Sequence, residues 1–337
     1  MVVPHYLELS GDAHTRGRTH GGELREQVVA CVEFYRSILG LEEDELRRRA
    51  ALFERLIEAY SPSQAEEIRG IATGAGLPTA HLFAINARSE LVPFSAGECT
   101  VLCSPQEGLL AQTWDWCKQL EELVTVLAIT REDGHRMLTV TEPGIVGKIG
   151  LSSAGVGVCL NFLSVPRSID GVPIHSLLRE VLEAASLPGA CSRLRQAGPG
   201  RGGNVMMLEA SGEAFNFEFA GDHVDERPLP EPACHTNHCL YRNVPAGELE
   251  ANSRARIARA GALLSRSDSP GIGELKDILS DREDEEAPIC APYHPLFGLE
   301  LGTLCTVVMD LPGREIHFRS GSDPGAAFQV YGLPQQY

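Results

Sequence analysis

Helical periodicity marks the first part of the chain. Apolar residues recur at close to a 3.6-residue spacing from Val28 to Leu39, which predicts a helix that Gly40 ends. A further helix is expected to begin at Ser63 as its N-cap and to close at Gly76. With their neighbours, these segments make the first 96 residues mostly helical, over 22–40, 42–62, 63–78 and 79–91.

The pattern changes to short strands after residue 99. Alternating apolar positions separated by turn residues predict strands and hairpins, one of which turns at Asp133 and Gly134. The strand-rich segments are 99–105, 108–116, 123–144, 147–163, 202–229 and 303–321. Helical periodicity returns over 176–197, 251–266 and 271–281, and the hydrophilic run 280–288 is expected to be a loop.

Hairpins and helices without regular βαβ alternation predict the α+β class with antiparallel sheets. Two such sheets stacked face to face, with helices outside, would give a four-layer αββα sandwich. Periodicity permits this order of layers and does not establish it.

Charge narrows the classes of partner. The 337 residues carry a formal net charge of −17, which would repel the phosphates of nucleic acids and anionic membranes. The first residues lack an apolar signal core, and no run reaches the roughly 18 apolar residues that span a bilayer. We therefore expect a soluble cytoplasmic protein, whose ten cysteines are mostly reduced thiols.

Candidate chemistry first appears in "GECTVLCSPQEGLLAQTWDW", residues 97–116. Its first cysteine, Cys99, could be a core residue, half of a disulfide, a metal ligand or a nucleophile. Cys103 lies on the same face of the predicted strand and is interpreted as core. A zinc site needs about four converging ligands, and the zinc hypothesis rests on Cys234, His235, His238 and Cys239.

A nucleophile at Cys99 has a simple chemical basis. This residue stands where the helical segment ends and the β-rich body begins. If the preceding peptide bond were cut, Cys99 would gain an α-amine, whose pKa is ordinarily about 7.7–8.0. That amine could accept the proton of the thiol on the same residue.

The order and spacing of several motifs resemble the penicillin acyltransferase family of the N-terminal nucleophile hydrolases. They are "GECT…TWDW", "RGRTHGGELREQV", "EEIRGIATGAGLP", "NARSEL", "CLNFL", "HTNHCL" and "NSRARIARA". The resemblance implies the αββα fold and a precursor that cleaves itself at the Glu98–Cys99 bond. Residues 1–98 would then be a helical pro-segment and 99–337 the catalytic body, associated after cleavage. The best-known member has glycine where Glu98 stands, and the larger, charged residue would slow self-cleavage at this bond.

The resemblance also implies roles for individual residues. Asp115 would orient the terminal ammonium of Cys99, unless it is an ordinary strand-end aspartate. Asn237 would donate to the oxyanion through its side chain, and Asn161 through its backbone N–H; the alternatives are a turn asparagine and an ordinary strand residue. A His–Cys dyad built on the histidines beside Asn237 is conceivable, although the amine makes it unnecessary.

Arginines complete the implied site. Arg256 matches the active-site arginine of the wider superfamily, where it would favour the thiolate, with Arg254 and Arg259 as rivals. Arg88 would position the scissile bond or pair with Glu90.

Two hypotheses of function follow. The first is a self-processing cysteine amidohydrolase or acyltransferase that acts on a small N-acyl amide through a thioester acyl-enzyme. It needs no metal or organic cofactor, and a transferase would take acyl-CoA as co-substrate. The second is an unprocessed, non-catalytic relative that serves as a binding or scaffold protein.

Overall fold

Two β-sheets face each other at the centre of the protein. The computed structural model describes residues 3–93, 99–163, 165, 171–198, 201–244 and 250–334. Apolar residues of both sheets meet in one cluster, in which Val126 and Leu138 of one sheet join Val101 and Val307 of the other. Neighbours one position along point the opposite way and pack under helices, as alternation in a strand requires.

The larger sheet has the strand order β1-β4-β5-β6-β7-β8-β9-β10. Its neighbours pair antiparallel, except that β1 runs parallel to β4. Its strands are β1 His5–Ser10, β4 Thr125–Thr130, β5 Arg136–Thr141, β6 Ile149–Ser152, β7 Val156–Phe162, β8 Arg201–Glu209, β9 Ala214–Gly221 and β10 His223–Pro228.

The smaller sheet has the order β11-β2-β3-β13-β14-β15, and β12 also pairs with β13. All of these pairs are antiparallel. Its strands are β2 Val101–Ser104, β3 Leu109–Cys117, β11 Ala233–His235, β12 His294–Leu296, β13 Leu299–Asp310, β14 Glu315–Ser320 and β15 Gln329–Gly332.

Helices cover the outer faces of both sheets. Helices α7 Ile174–Glu183 and α8 Leu187–Gln196 pack on the larger sheet, and α9 Glu250–Leu264 and α10 Ile272–Ile278 pack on the smaller one. The predicted four-layer αββα architecture of the α+β class is thereby confirmed. No helix in the described part of the chain is both long and apolar enough to cross a membrane.

The helices before residue 93 share the core between the sheets. Their bounds are α1 Ala13–Glu23, α2 Arg25–Leu39, α3 Glu43–Tyr60, α4 Pro62–Ala75, α5 Thr79–Asn86 and α6 Arg88–Leu91. Gly40 ends α2 in the left-handed conformation, as predicted. The prediction that Ser63 caps α4 is wrong, because Ser61 is the N-cap and Pro62 opens the helix, where its missing N–H costs no hydrogen bond.

Glycines let α1 and α4 pack backbone against backbone. A Cβ atom added at Gly17 would lie 2.0 Å from the carbonyl oxygen of Glu67, and one at Gly21 would lie 2.1 Å from that of Ile71. Glycines on α4 approach α1 in the same way. This contact gives a structural reason for Gly17 and Gly21 in "RGRTHGG" and for Gly70 and Gly74 in "RGIATGAG".

A buried ion cluster joins these helices to the body. Glu67 on α4 accepts from Arg16 on α1 at 2.7 Å and from Arg179 on α7 at 2.9 Å. All three side chains are at most 3% exposed. Burial alone would raise the pKa of Glu67, but Arg179 and Arg16 outweigh it and lower that pKa. The carboxylate is thus ionised, and it ties residues on both sides of position 99 together.

Candidate active site

Cys99 lies at the entry to β2 in the centre of the structure and is 7% exposed. Its Sγ accepts the backbone N–H of Asp115 at 3.4 Å. The next residue fixes the same junction, because Thr100 N–H donates to Thr113 Oγ1 at 3.1 Å and Thr113 N–H donates back to Thr100 O at 3.0 Å. Pairing of β2 with β3 therefore brings the predicted Cys99 and Asp115 together.

Two side chains hold the carbonyl oxygen of Cys99. Asn161 on β7 donates from Nδ2 at 2.9 Å, and Arg256 on α9 donates from Nη1 at 2.9 Å. One donor comes from the larger sheet and the other from the helix layer over the smaller sheet. The backbone of Cys99 is therefore fixed from both sides of the sandwich.

Arg256 organises this end of the site. It is fully buried and also donates to Thr100 Oγ1 at 3.1 Å, to Asn237 Oδ1 at 2.9 Å and to Asn252 Oδ1 at 2.7 Å. Both rivals from the sequence face elsewhere: the side chain of Arg254 is 62% exposed and pairs with Glu250, and Arg259 pairs with Asp281. Arg256 is thus the arginine that reaches Cys99 among the three.

Asn237 follows β11 and is held in a fixed orientation. Its Nδ2 donates to Phe162 O at 2.9 Å, while its backbone N–H donates to Ser253 Oγ at 2.7 Å. Because Asn237 Oδ1 accepts a hydrogen bond from Arg256, the Asn237 amide nitrogen points away from the arginine. Nδ2 carries two hydrogens, of which Phe162 O accepts one; donation of the other to an oxyanion stays a prediction.

Asn161 makes a contact that its predicted role did not include. Its side-chain amide donates to Cys99 O, while its backbone pairs with Asn204 on β8. The predicted backbone donation to an oxyanion stays a prediction.

The thiol of Cys99 is protonated in the continuous chain. Burial raises the pKa of Cys99 to about 11, and the Asp115 carboxylate adds to that shift. The positive charges of Lys148 and Arg256 oppose it only in part. An additional cation or base beside the sulfur is what this environment needs for reactivity.

Arg88 sits in a buried polar network near Cys99. Its Nη2 lies 2.7 Å from Glu142 Oε1, to which the Tyr35 hydroxyl also donates at 2.7 Å. The guanidinium lies between the rings of Tyr35 and Trp116, 5.2 and 5.4 Å from their centroids. The ion pair of Arg88 described here is thus with Glu142; Glu90, its partner in one sequence hypothesis, accepts Ile174 N–H. Glu98, the other half of the predicted scissile bond, lies outside the described residues.

A partly open cleft with an inner cavity of about 40 Å³ lies beside Cys99. It combines an apolar surface with a few polar groups. Its apolar lining includes Val92, Trp114, Trp116, Leu160, Phe162 and Ile174, and its polar lining Arg88, Ser89, Gln112, Asp115 and Lys148.

Sequence reasoning gave no role to three of these polar residues, Ser89, Gln112 and Lys148. The Gln112 side chain forms two hydrogen bonds with the backbone of Leu160: Leu160 N–H donates to Oε1 at 2.9 Å, and Nε2 donates to Leu160 O at 3.3 Å. Leu160 lies in the part of β7 that extends beyond its pairing with β6. Lys148 is 3% exposed beside Trp114. The sequence signal that could have identified Lys148 is a charged residue in an otherwise apolar segment, "GIVGKIGL".

The other thiols and the histidines have separate environments. Cys103 is fully buried in the core, as predicted. His235 bonds Glu218 at 2.8 Å, and His238 bonds Ser253 at 2.7 Å. Within the described ranges, no group of three or more His, Cys, Asp or Glu side chains could hold a metal ion.

Two sheets packed face to face between layers of helices give this chain the fold of the N-terminal nucleophile hydrolase class. The conjugated bile acid hydrolase of Clostridium perfringens, solved as a mutant, has this fold: it matches 72% of the present chain and 99% of its own with a TM-score of 0.50 and 13% identity.

Comparison of sequences identifies the family within this class. The family model of acyl-coenzyme A:6-aminopenicillanic acid acyl-transferase matches residues 103–324. The 40 kDa form of acyl-coenzyme A:6-aminopenicillanic-acid-acyltransferase from Emericella nidulans is 29% identical over 333 residues, which cover 94% of this chain and 92% of that protein. The chain belongs to the acyl-coenzyme A:6-aminopenicillanic acid acyl-transferase family, and so to the acyltransferases and acyl hydrolases of the N-terminal nucleophile type.

Proposed function

We propose that the protein is a self-processing cysteine amidohydrolase or acyltransferase that uses Cys99 as nucleophile. The observation that carries this proposal is the fixation of Cys99: two side chains hold its carbonyl, and its sulfur lies on the wall of the cleft. A group held in one geometry from several sides is suited to repeated attack on a bound carbonyl.

Self-cleavage would activate the nucleophile. The Cys99 thiol gives up its proton and attacks the carbonyl carbon of Glu98; the C–N bond breaks as the C–S bond forms, and the nitrogen takes a proton. Water then hydrolyses the thioester, which leaves the Glu98 carboxylate, the free thiol and a free α-amine on Cys99. Asp115, whose carboxylate raises the pKa of the thiol in the continuous chain, would then face an ammonium that it can orient.

Turnover would repeat this chemistry on a small N-acyl amide. The α-amine accepts the thiol proton, the sulfur attacks the acyl carbon, and the amine of the substrate leaves with a proton as the thioester forms. Asn237 Nδ2 would donate to the oxyanion, with the backbone N–H of Asn161 as second donor. Water completes a hydrolysis, and a second amine completes a transfer.

The acyl donor and the cofactor requirement follow from this scheme. A thioester such as acyl-CoA can load the same sulfur by exchange of one thiol for another, so an acyltransferase would use acyl-CoA as co-substrate. Neither half-reaction needs a metal or an organic cofactor. The acidic surface suits a small-molecule substrate better than a nucleic acid, and the two pieces would stay associated through the shared core and the Glu67 ion cluster.

Trapping of the acyl-enzyme tests the proposal. Purified protein would be incubated with N-acyl amino acids and with acyl-CoA, quenched in acid and analysed by intact mass. We expect an adduct of one acyl group on the fragment that carries Cys99, removable by hydroxylamine, and none in Cys99→Ala. Turnover that persists in Cys99→Ala, or an adduct at another residue, would contradict the proposal.

The alternative is an unprocessed relative that binds a ligand without turning it over. The pKa of about 11 for Cys99 favours it as long as the chain stays continuous, because an uncharged buried thiol is a poor nucleophile. A single polypeptide after long incubation, with neither adduct nor turnover, would support this alternative.

A further inference from the structure

Two cations beside the cleft share one buried carboxylate. Glu142 is fully buried, and its Oε1 accepts from Arg88 at 2.7 Å and from the Tyr35 hydroxyl at 2.7 Å. Lys148 approaches the other oxygen, Oε2, with its Nζ at 3.6 Å. That distance is longer than a hydrogen bond. Glu142 therefore pairs closely with Arg88 and only loosely with Lys148.

Lys148 is the less satisfied of the two cations. Its Nζ lies 3.3 Å from the centroid of the Trp114 ring, and no hydrogen bond from Nζ to another described residue is found. An ammonium has three hydrogens to donate. A side chain that is 3% exposed and lines the cleft therefore presents unused donors to whatever fills it.

Burial makes this arrangement costly without a ligand. It lowers the pKa of Lys148 to about 7, and the Glu142 carboxylate opposes that shift without cancelling it. An anion in the cleft would stabilise the ammonium and supply the missing acceptor. The Asp115 carboxylate, which also lines the cleft, is assigned to the terminal amine of Cys99 by the proposed function.

We propose that Lys148 binds a carboxylate of the substrate, so that the site takes N-acyl amino acids, or amino-acid acceptors, in preference to uncharged amides. The inference rests on the proposed function and names the substrate class for that site. Trp114, Trp116 and Leu160 offer an apolar surface for the carbon body of such a molecule, and one buried ammonium fixes its orientation. Lys148 is on this account a specificity-determining residue.

Matched substrate pairs test the proposal. N-phenylacetyl and N-octanoyl amino acids would be compared with the corresponding amino-acid carboxamides, which keep the shape and lose the charge. kcat/KM would be measured for wild type, Lys148→Met and Lys148→Arg. Lys118→Met is the control, since that lysine is 48% exposed and pairs with Glu300 at 3.4 Å.

Wild type and Lys118→Met should prefer the acids by about ten- to a hundredfold, the range of a charge-assisted hydrogen bond. Lys148→Met should lose the preference mainly because its kcat/KM for the acids falls, and Lys148→Arg should retain part of the preference. A preference that survives in Lys148→Met, or no preference in wild type, would overturn the proposal.

A binding measurement separates this proposal from the proposed function. Calorimetry on wild type with ketone analogues of the same pairs, in which a methylene replaces the amide nitrogen, needs no turnover, and the second protein would be Lys148→Met. Tighter binding of the acids that depends on Lys148 supports the carboxylate site even if no substrate is turned over. Equal binding of acid and carboxamide refutes it even if Cys99-dependent turnover is observed.

Discussion

Substitution of Arg256 by lysine tests whether one guanidinium organises the site. Arg256 donates to Cys99 O and Thr100 Oγ1 from Nη1, to Asn237 Oδ1 from Nη2 and to Asn252 Oδ1 from Nε. A lysine keeps the charge, but it presents its hydrogens from a single nitrogen. It cannot serve acceptors that the planar fork reaches from three nitrogen atoms.

The expected magnitude follows from which acceptors lose their donor. Cys99 O keeps the hydrogen bond from Asn161, whereas the described donor to Asn237 Oδ1 is Arg256. A buried acceptor without a partner costs about 1–3 kcal/mol of stability. Release of the Asn237 amide should also remove one oxyanion donor, which typically lowers kcat by about 10²–10³.

Arg256→Lys should therefore cleave itself and turn over substrate about 10²–10³ more slowly, and urea unfolding should show a loss of about 1–3 kcal/mol. Arg254→Lys is the matched control on the same helix, because that side chain is 62% exposed and pairs with Glu250 at the surface. It should behave like wild type. A folded Arg256→Lys protein with wild-type rates would refute this reasoning.

Three further outcomes are expected. Gly21→Ala should lower the free energy of unfolding by about 1–3 kcal/mol or more, because its Cβ would lie 2.1 Å from Ile71 O. Gly22→Ala, whose Cβ would meet nothing within 4 Å, should be neutral or slightly stabilising in urea unfolding. Glu67→Gln should lower the free energy of unfolding by about 3–5 kcal/mol at pH 7. Because the folded-state pKa of Glu67 is lowered from 4.5, the carboxylate stabilises the protein above pH 4.5 and this stabilisation is lost as the pH falls. The variant should therefore lack that part of the acid dependence of stability in urea titrations, and an unchanged dependence would contradict this role of Glu67. Alkylation of Cys99 by iodoacetamide, followed by mass spectrometry, should be slow at pH 7 in uncleaved chains, and its rate should rise as the pH approaches the Cys99 pKa of about 11. Once cleavage has freed the α-amine, alkylation should be fast near pH 8. Equal alkylation rates in the two forms would argue against activation by cleavage.

Sequence periodicity predicted the elements whose contacts are local. The hairpin at Gly134 and the stop of α2 at Gly40 depend on neighbouring residues, and both formed as expected. Strand β1 was missed because it is stabilised by parallel pairing with β4, more than a hundred residues away. The glycine spacing of α1 and α4 was visible, but its meaning required the two helices to be placed against each other.

The candidate site also has a part that the sequence predicted and a part that depends on tertiary packing. Motif order brought forward Cys99, Asp115, Asn161, Asn237 and Arg256. The fold brings three of their side chains, those of Asn161, Asn237 and Arg256, into one hydrogen-bonded group at the Cys99 carbonyl, and the Asp115 N–H meets the Cys99 sulfur. The partners of Arg88 and Lys148 could not be predicted, because both converge on Glu142 from different segments through tertiary packing. A lysine inside an apolar run carries no sequence mark of the charge that it meets.

Self-cleavage before Cys99 can be tested by intact mass of the purified protein together with N-terminal sequencing of the larger fragment. We expect two polypeptides of about 10.6 and 25.9 kDa, as 98/337 and 239/337 of 36.5 kDa, the larger beginning Cys-Thr-Val-Leu, and one uncut chain for Cys99→Ala. A wild-type chain that stays whole while it hydrolyses or transfers acyl groups, or a cut at another bond, would contradict it.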